Sequence, residues 1–265
     1  MTIADFRSVV ITGASDGIGA ALAGTLARPG RRLFLVARRE DRLGEVATAC
    51  SARGATVSRA ALDVTERPAM ADALRRFDAT EPVDLVIVNA GISSGLGPGR
   101  SPEPAEAARR VFAVHIDGML NTLDPLLPGM IARGAGQIAL MSSLAGSSPL
   151  ADMPAYSASK AAIRAYGTSL RRWLKPHGIG VSVICPGFVT TAMSARHRGY
   201  KPFEVPLDRA TTRILAGLAA REAYVTFPWP LALLVWLGNR LPARLSDRAM
   251  TRFAAVIEAE GDARM

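Results

Sequence analysis

The sequence predicts an α/β protein, a doubly wound parallel sheet in three layers (α/β/α), built as a single domain with a helical C-terminal extension. Three observations carry that prediction. Short apolar runs of strand length alternate with longer helical stretches through six units, the pattern of a parallel sheet covered on both faces. Glycine or polar residues follow directly on the carboxyl ends of those runs, where open sheets of this kind bind ligands. The chain of 265 residues is long enough for one large core, and no repeat or low-complexity stretch divides it. The domain is placed at 1–226 and the extension at 227–265.

The first run, residues 8–11, enters Thr12-Gly13-Ala14-Ser15-Asp16-Gly17-Ile18-Gly19 and then an Ala/Leu-rich helix to about residue 28. Glycines let backbone approach a pyrophosphate, and the N–H groups at a helix start face its charge. By itself the turn is weak, because any tight strand-to-helix connection favours glycine. The second run, 32–36, ends in Ala37-Arg38-Arg39. An acidic residue there would accept from the adenosine ribose, whereas arginine pairs with a 2′-phosphate, so this ending favours NADP(H) over NAD(H). The alternative is that both arginines cap the strand in solvent.

A helix over 40–53 precedes a strand over 56–62, which stops at Asp63-Val64. The Asp63 carboxylate can accept from an adenine amino group, or it can cap the helix that follows Thr65. A helix over 68–79 leads to a strand over 85–88 and Asn89-Ala90-Gly91; a Gly/Pro-rich loop fills 95–104, and a long helical stretch runs over 105–133 despite Pro125 and Pro128. The strand over 137–141 delivers Ser142 and Ser143. The next helix carries Tyr156 and Lys160 and stops before Pro176 and Gly178. A last strand, 180–184, is followed by Cys185-Pro186-Gly187-Phe188-Val189-Thr190-Thr191.

Tyr156 and Lys160 stand one helical turn apart on one face. A free tyrosine has a pKa of about 10 and works as an acid or base near neutrality only when a cation stabilises its phenolate. Lys160 is placed to be that cation. A surface tyrosine beside a solvated lysine has the same spacing, so the pair gains meaning from its surroundings.

Taken together, TGASDGIG at 12–19, Asp63, NAG at 89–91, Ser143, YSASK at 156–160 and PGFVTT at 186–191 resemble the short-chain dehydrogenase/reductase family over residues 7–195. The resemblance implies a Rossmann-like fold and a hydride transfer between NAD(P) and a carbonyl or alcohol. It makes Gly13, Ser15, Asp16, Gly17, Ile18 and Gly19 the phosphate turn, puts Asp63 and Val64 near adenine, and makes Asn89, Ala90 and Gly91 the cofactor floor. It makes Ser143 the substrate-orienting hydroxyl and Tyr156 the proton donor or acceptor. Lys160 binds the nicotinamide ribose and lowers the tyrosine pKa, and Pro186, Gly187, Val189 and Thr191 hold the carboxamide. A dimer or tetramer through helices of residues 105–175 is implied as well.

Three positions depart from the family pattern. Val88 replaces a second asparagine before NAG. His115, three residues before Gly118, stands where an asparagine often anchors a relay water, and it either serves that relay or packs in its helix. Ser15-Asp16 occupies a place where many NADPH-preferring members carry a basic residue.

The remaining features bound the partners. A formal net charge of +9 favours anions of any kind, but no helix-turn-helix, zinc or aromatic-basic pattern points to nucleic acid. Cys50 and Cys185 lack disulfide-framework or metal spacing, so no metal is expected, and MTIADFRSVVITG lacks the features of a signal peptide, so the cytoplasm is expected. Arg196, His197, Arg198 and Lys201 in the loop over 194–206 suggest a cationic lid over an acidic substrate, or a solvated loop. The stretch FPWPLALLVWL at 227–237 is too short for the roughly 20 residues that span a bilayer. After it Arg240, Arg244, Arg248 and Arg252 recur on one helical face, opposite Leu245, Ala249, Phe253, Val256 and Ile257. This extension is expected to touch an anionic membrane face peripherally, cover the substrate site or form a subunit contact. The substrate expected is a lipophilic carbonyl or alcohol, with a 3-oxoacyl thioester reductase as the alternative enzyme and an NADPH-binding sensor as the alternative of another class.

Overall fold

The computed structural model describes residues 5–250 and 255–257. In chain order the elements are β1 (Ser8–Thr12), α1 (Gly17–Leu26), β2 (Arg32–Ala37), α2 (Glu40–Ala52), β3 (Thr56–Ala61), α3 (Arg67–Thr80), β4 (Leu85–Val88), α4 (Ala105–Phe112), α5 (Gly118–Leu123), α6 (Leu127–Arg133), β5 (Gly136–Met141), α7 (Pro154–Leu174) and β6 (Ile179–Pro186). They continue as α8 (Ala192–Ala195), β7 (His197–Gly199), α9 (Leu207–Ala219), β8 (Tyr224–Phe227), α10 (Trp229–Gly238), α11 (Ala243–Met250) and β9 (Ala255–Ile257).

Seven strands form one parallel sheet in the order β3-β2-β1-β4-β5-β6-β8. Alternation along each strand divides the core in two. Val9, Ile11, Leu33, Leu35, Leu85 and Ile87 face one side, under α1, α2 and α9, with Leu22, Leu43 and Ile214. Val10, Phe34, Val36, Val86 and Val88 face the other, under α3, α5 and α7, with Leu74, Leu123 and Leu170. Val88, which replaces the second asparagine, is thus a core residue. The order reverses between β1 and β4, and the crevice at a reversal of this kind is where ligands bind, outside the carboxyl ends of the strands.

The structure corrects the sequence reading in three places. A seventh strand, β8, pairs with β6 from Val183↔Tyr224 to Pro186↔Phe227, so Phe227 belongs to the sheet and the division at 226 falls inside a strand. Four residues followed by Pro228 are too short a run to stand out beside an apolar helix. The stretch 105–133 is not one helix: α4 passes through a π-helical turn, Ala113–Asp117, into α5, and α6 begins afresh after Pro125. The proposed arginine face does not run along one helix either. Arg240 lies in the turn between α10 and α11, and Val256 and Ile257 lie in β9, antiparallel to β7. Arg252, Phe253 and the side chain of Ala249 lie outside the described residues. Among the described residues no helix is long and apolar enough to cross a membrane.

Candidate active site

Each candidate residue stands at or just beyond the carboxyl end of a strand or on a helix facing that edge. All but Gly19, which packs under the turn, line a cleft of about 380 Å³. At its floor the glycine turn is held by Asn89, whose Nδ2 donates to Thr12 O at 3.0 Å and Gly13 O at 3.1 Å, while Thr12 Oγ1 accepts from Asn89 N and Ala90 N. Gly13 has φ +66°, and a Cβ on it would stand 2.8 Å from Ala90 Cα. A Cβ on Gly19 would stand 2.2 Å from Gly13 O, so both positions require glycine. Asp16 caps α1 by accepting from Gly17 N at 2.7 Å, which leaves the other first-turn N–H groups, at Ile18 and Gly19, without intrahelical partners.

At the ends of β2 and β3 the charges are interlocked. Asp16 pairs with Arg39 at 3.1 Å and with Arg42 at 3.2 Å, and Asp63 pairs with Arg110 and lies 4.0 Å from Arg38. Asp63 also accepts from Thr65 N and Oγ1; burial raises its pKa, but these hydrogen bonds and Arg110 outweigh that and hold it below the ordinary carboxylate value. Asp63 therefore caps its own turn and binds α4 as well as lining the cleft. Sequence reasoning missed Arg42 and Arg110. Arg42 stands one helical turn beyond Arg39, a spacing visible in the sequence, whereas nothing local marks Arg110.

Ser143, Tyr156 and Lys160 converge on the opposite half. Ser143 Oγ accepts from Ala145 N at 3.1 Å and interacts with the Tyr156 phenol. Lys160 Nζ donates to Met141 O at 2.9 Å and stands 5.6 Å from the centre of the tyrosine ring. A Cβ on Gly91 would meet His115 Nε2 at 2.9 Å and Lys160 Nζ at 3.5 Å, which keeps this wall free of side chain. Thr191 faces the glycine turn, its Cγ2 3.4 Å from the position of a Cβ on Gly17, while its Oγ1 accepts from Ser194 N to cap α8 and donates to Val189 O. Pro186 ends β6, and Gly187 N donates to Phe227 O at 2.8 Å.

A family model described as short chain dehydrogenase matches residues 7–201. The chain belongs to this family. An uncharacterized oxidoreductase of Myxococcus xanthus (strain DK1622) is 37% identical over 248 residues, covering 93% of this chain and 97% of that one. A short-chain dehydrogenase from Sphingobium yanoikuyae in complex with NADPH is similar in structure, with a TM-score of 0.77 at 26% identity over 96% of this chain and 99% of its own. A short chain dehydrogenase/reductase from Burkholderia phymatum in complex with NAD shares the fold, with a TM-score of 0.80 at 24% identity over 95% and 97% of the two chains.

In this short-chain dehydrogenase, an oxidoreductase acting on CH–OH or C=O groups, burial sets the charge states. It raises the Tyr156 phenol above its ordinary value, with the Ser143 hydroxyl pulling the other way, and it lowers Lys160 to about 7. Lys160 is thus partly neutral near pH 7, and the phenol keeps its proton. His115 is packed: Nε2 accepts from Ile92 N at 3.1 Å and Nδ1 meets Ser159 Oγ at 2.7 Å, while Ser159 Oγ donates to Tyr156 O. With both nitrogens engaged by protein, His115 has no free position for a relay water, and burial with nearby Lys160 depresses its pKa strongly.

The cationic lid is also revised. His197 is buried beside Phe188, 5.1 Å between ring centres, because β9 pairs over β7; burial lowers its pKa. Lys201 Nζ turns back to Ser194 O, and of the four basic residues only Arg196 and His197 line the cleft. Most of the outer wall is apolar, made by Leu144, Leu150, Met153, Phe188, Leu231 and Val235, the last two from α10.

Proposed function

We propose that this short-chain dehydrogenase transfers a hydride between NADP(H) and the carbonyl or alcohol carbon of a lipophilic small molecule, acting chiefly as a reductase. The observation that supports it most is one cleft that joins the glycine turn and its arginines to Ser143, Tyr156 and Lys160, and closes with an apolar wall. The residues fit a dinucleotide: Gly13 and Gly19 let the turn pack directly on Asn89 and Ala90, and the N–H groups of Ile18 and Gly19 at the start of α1 are without intrahelical partners, as a pyrophosphate site requires. Gly13 through Gly19 would hold the pyrophosphate, Arg38, Arg39 and Arg42 the 2′-phosphate, and Asp63 and Val64 the adenine edge. Asn89, Ala90 and Gly91 would form the floor, Lys160 would reach the ribose, and Pro186, Gly187, Val189 and Thr191 the carboxamide. When bound, the nicotinamide supplies or accepts the hydride.

The chain does the rest. Ser143 Oγ holds the substrate oxygen, and Tyr156 gives it a proton in the reducing direction. A phenol that stays protonated at neutral pH suits donation, whereas oxidation requires the phenolate and gains with rising pH. An apolar wall contributes binding in proportion to the apolar area that the substrate buries. We place the protein in the cytoplasm, as a dimer or tetramer through α4 and α7, on which Phe112 and Trp173 are exposed. Arg196 at the cleft favours a second substrate class, 3-oxoacyl thioesters, whose carriers are anionic. The test is a panel of lipophilic ketones, aldehydes and acyl thioesters, followed by NADPH oxidation with NADH as control, in the wild type and Tyr156→Phe. The variant is expected to keep its NADPH affinity and lose turnover by roughly 10³-fold. Equal turnover would remove Tyr156 from the chemistry, and no turnover of any compound by the wild type would favour the sensor.

A further inference from the structure

Helix α10 has two apolar faces with different surroundings. Inward, Leu231 is buried against Gly187 and, with Val235, walls the cleft, while Asn239 Nδ2 donates to Ser147 O at 2.8 Å and ties the helix end to the loop after Ser143. Outward, Trp229 is 73% exposed, Leu234 55% and Trp236 52%, with Leu233, Leu237, Leu241 and Leu245 exposed beside them. Soluble monomers rarely show so much contiguous apolar surface without a partner for it. Charge stands at its border: the Arg240 guanidinium lies 3.4 Å over the Trp236 ring and donates to Trp236 O, and Arg244 is exposed one turn further on.

We infer that α10 docks this enzyme on an anionic lipid bilayer, lying in the interface with its outward face among the acyl chains and its inward face walling the substrate cleft. An apolar face with indoles at its ends and arginines at its edge matches the layering of a bilayer surface, acyl chains below and phosphates above. A helix of ten residues is about 15 Å long and lies along such a surface rather than crossing it. The chain's net charge of +9 adds a long-range attraction. Arg240 and Arg244 stand together at one end of the face, as groups meeting a plane of lipid phosphates would, and among the described residues no acidic side chain lies on the apolar face of α10 itself. That the docked cleft draws its substrate from the lipid rests on the lipophilic reading above; docking itself does not.

The experiment is flotation of the full-length protein with vesicles of equal phosphatidylglycerol and phosphatidylcholine, and with phosphatidylcholine alone, at low and high salt. The variants are Leu233→Gln/Leu234→Gln and Arg240→Gln/Arg244→Gln, each checked by its melting curve and by NADPH titration, both expected to match wild type. Wild type is expected to float with the anionic vesicles and less with the neutral ones. Each variant is expected to lose roughly tenfold or more in vesicle affinity. Wild type that stays at the bottom with both vesicles overturns the inference, as does a leucine variant that floats undiminished. A wild-type dimer that the leucine variant makes monomeric, without lipid binding by either, assigns the face to a second copy. Flotation does not depend on turnover, so a failed substrate panel leaves this result standing.

Discussion

Replacing Lys160 by methionine isolates the cost of holding an ammonium inside the active site. Lys160 is 4% exposed, donates to Met141 O at 2.9 Å, and has its pKa lowered from 10.5 to about 7 by burial, against a smaller opposing effect of Cys185. Below pH 7 the lysine is charged in the folded and the unfolded chain, and the fold carries the whole cost. Between about 7 and 10.5 the unfolded chain binds the proton and the fold does not, so this group's contribution to stability rises with pH; above 10.5 the cost is gone. At roughly 1.4 kcal/mol per pH unit, the interval corresponds to about 5 kcal/mol, an upper bound that relaxation around the charge reduces. The methionine variant leaves the Met141 carbonyl without its donor, which returns about 1–3 kcal/mol. Near pH 6, Lys160→Met is therefore expected to be about 2–3 kcal/mol more stable than wild type, while losing its turnover. Urea unfolding of both proteins, in steps from acid to alkaline pH, gives the difference, because the other titrating groups are common to both and the largest cause of the shift at His115, the one that Lys160 perturbs, is burial, which the variant keeps. A gap that does not narrow toward pH 10, or a variant less stable than wild type near pH 6, refutes the reasoning.

Two further substitutions address cofactor binding. Gly19→Ala places a methyl group 2.2 Å from Gly13 O, a backbone atom held by Asn89, and is expected to abolish NADPH binding by fluorescence titration and to destabilise by about 1–3 kcal/mol; binding within twofold of wild type would show that the turn can shift. Arg38→Leu removes one of the guanidinium groups at the end of β2, and the expected outcome is a roughly 10–100-fold rise in KM for NADPH with little change for NADH. Equal effects on the two cofactors in steady-state assays would assign Arg38 to the Asp63 pairing alone.

Most of the sheet was legible because its central strands are buried on both faces, and a run such as Val9, Val10 and Ile11 has few other uses. Ligand-facing positions were legible for a related reason: Gly13, Asn89 and Ser143 each follow such a run, so finding the strand ends finds the edge where a site can form. What escaped was set by contacts distant in sequence. Strand β8 is recognisable only through its pairing with β6. His197 looks like a lid cation until β9, some 60 residues later, covers it. Asp63 looks like a carboxylate free for a ligand alone until Arg110 arrives from another helix to share it. The period of four among Arg240, Arg244 and Arg248 was real in the sequence, but α10 ends before Arg240, and a face needs a continuous helix to exist.

His115 shows how a departure from the family pattern can be accommodated without adding charge. Its Nε2 accepts from Ile92 N, so the neutral ring must carry its proton on Nδ1, which donates to Ser159 Oγ, and that hydroxyl in turn donates to the carbonyl of Tyr156. Protonating Nε2 would set one N–H against another and place a charge where burial disfavours it. Burial and Lys160 both push the ring toward its neutral form. The ring also meets Tyr156 edge to face, 5.7 Å between centres, and so packs beside the phenol ring that Lys160 Nζ approaches to 5.6 Å. A histidine at this position is thus compatible with the proposed role of Tyr156, because burial and Lys160 favour its neutral form.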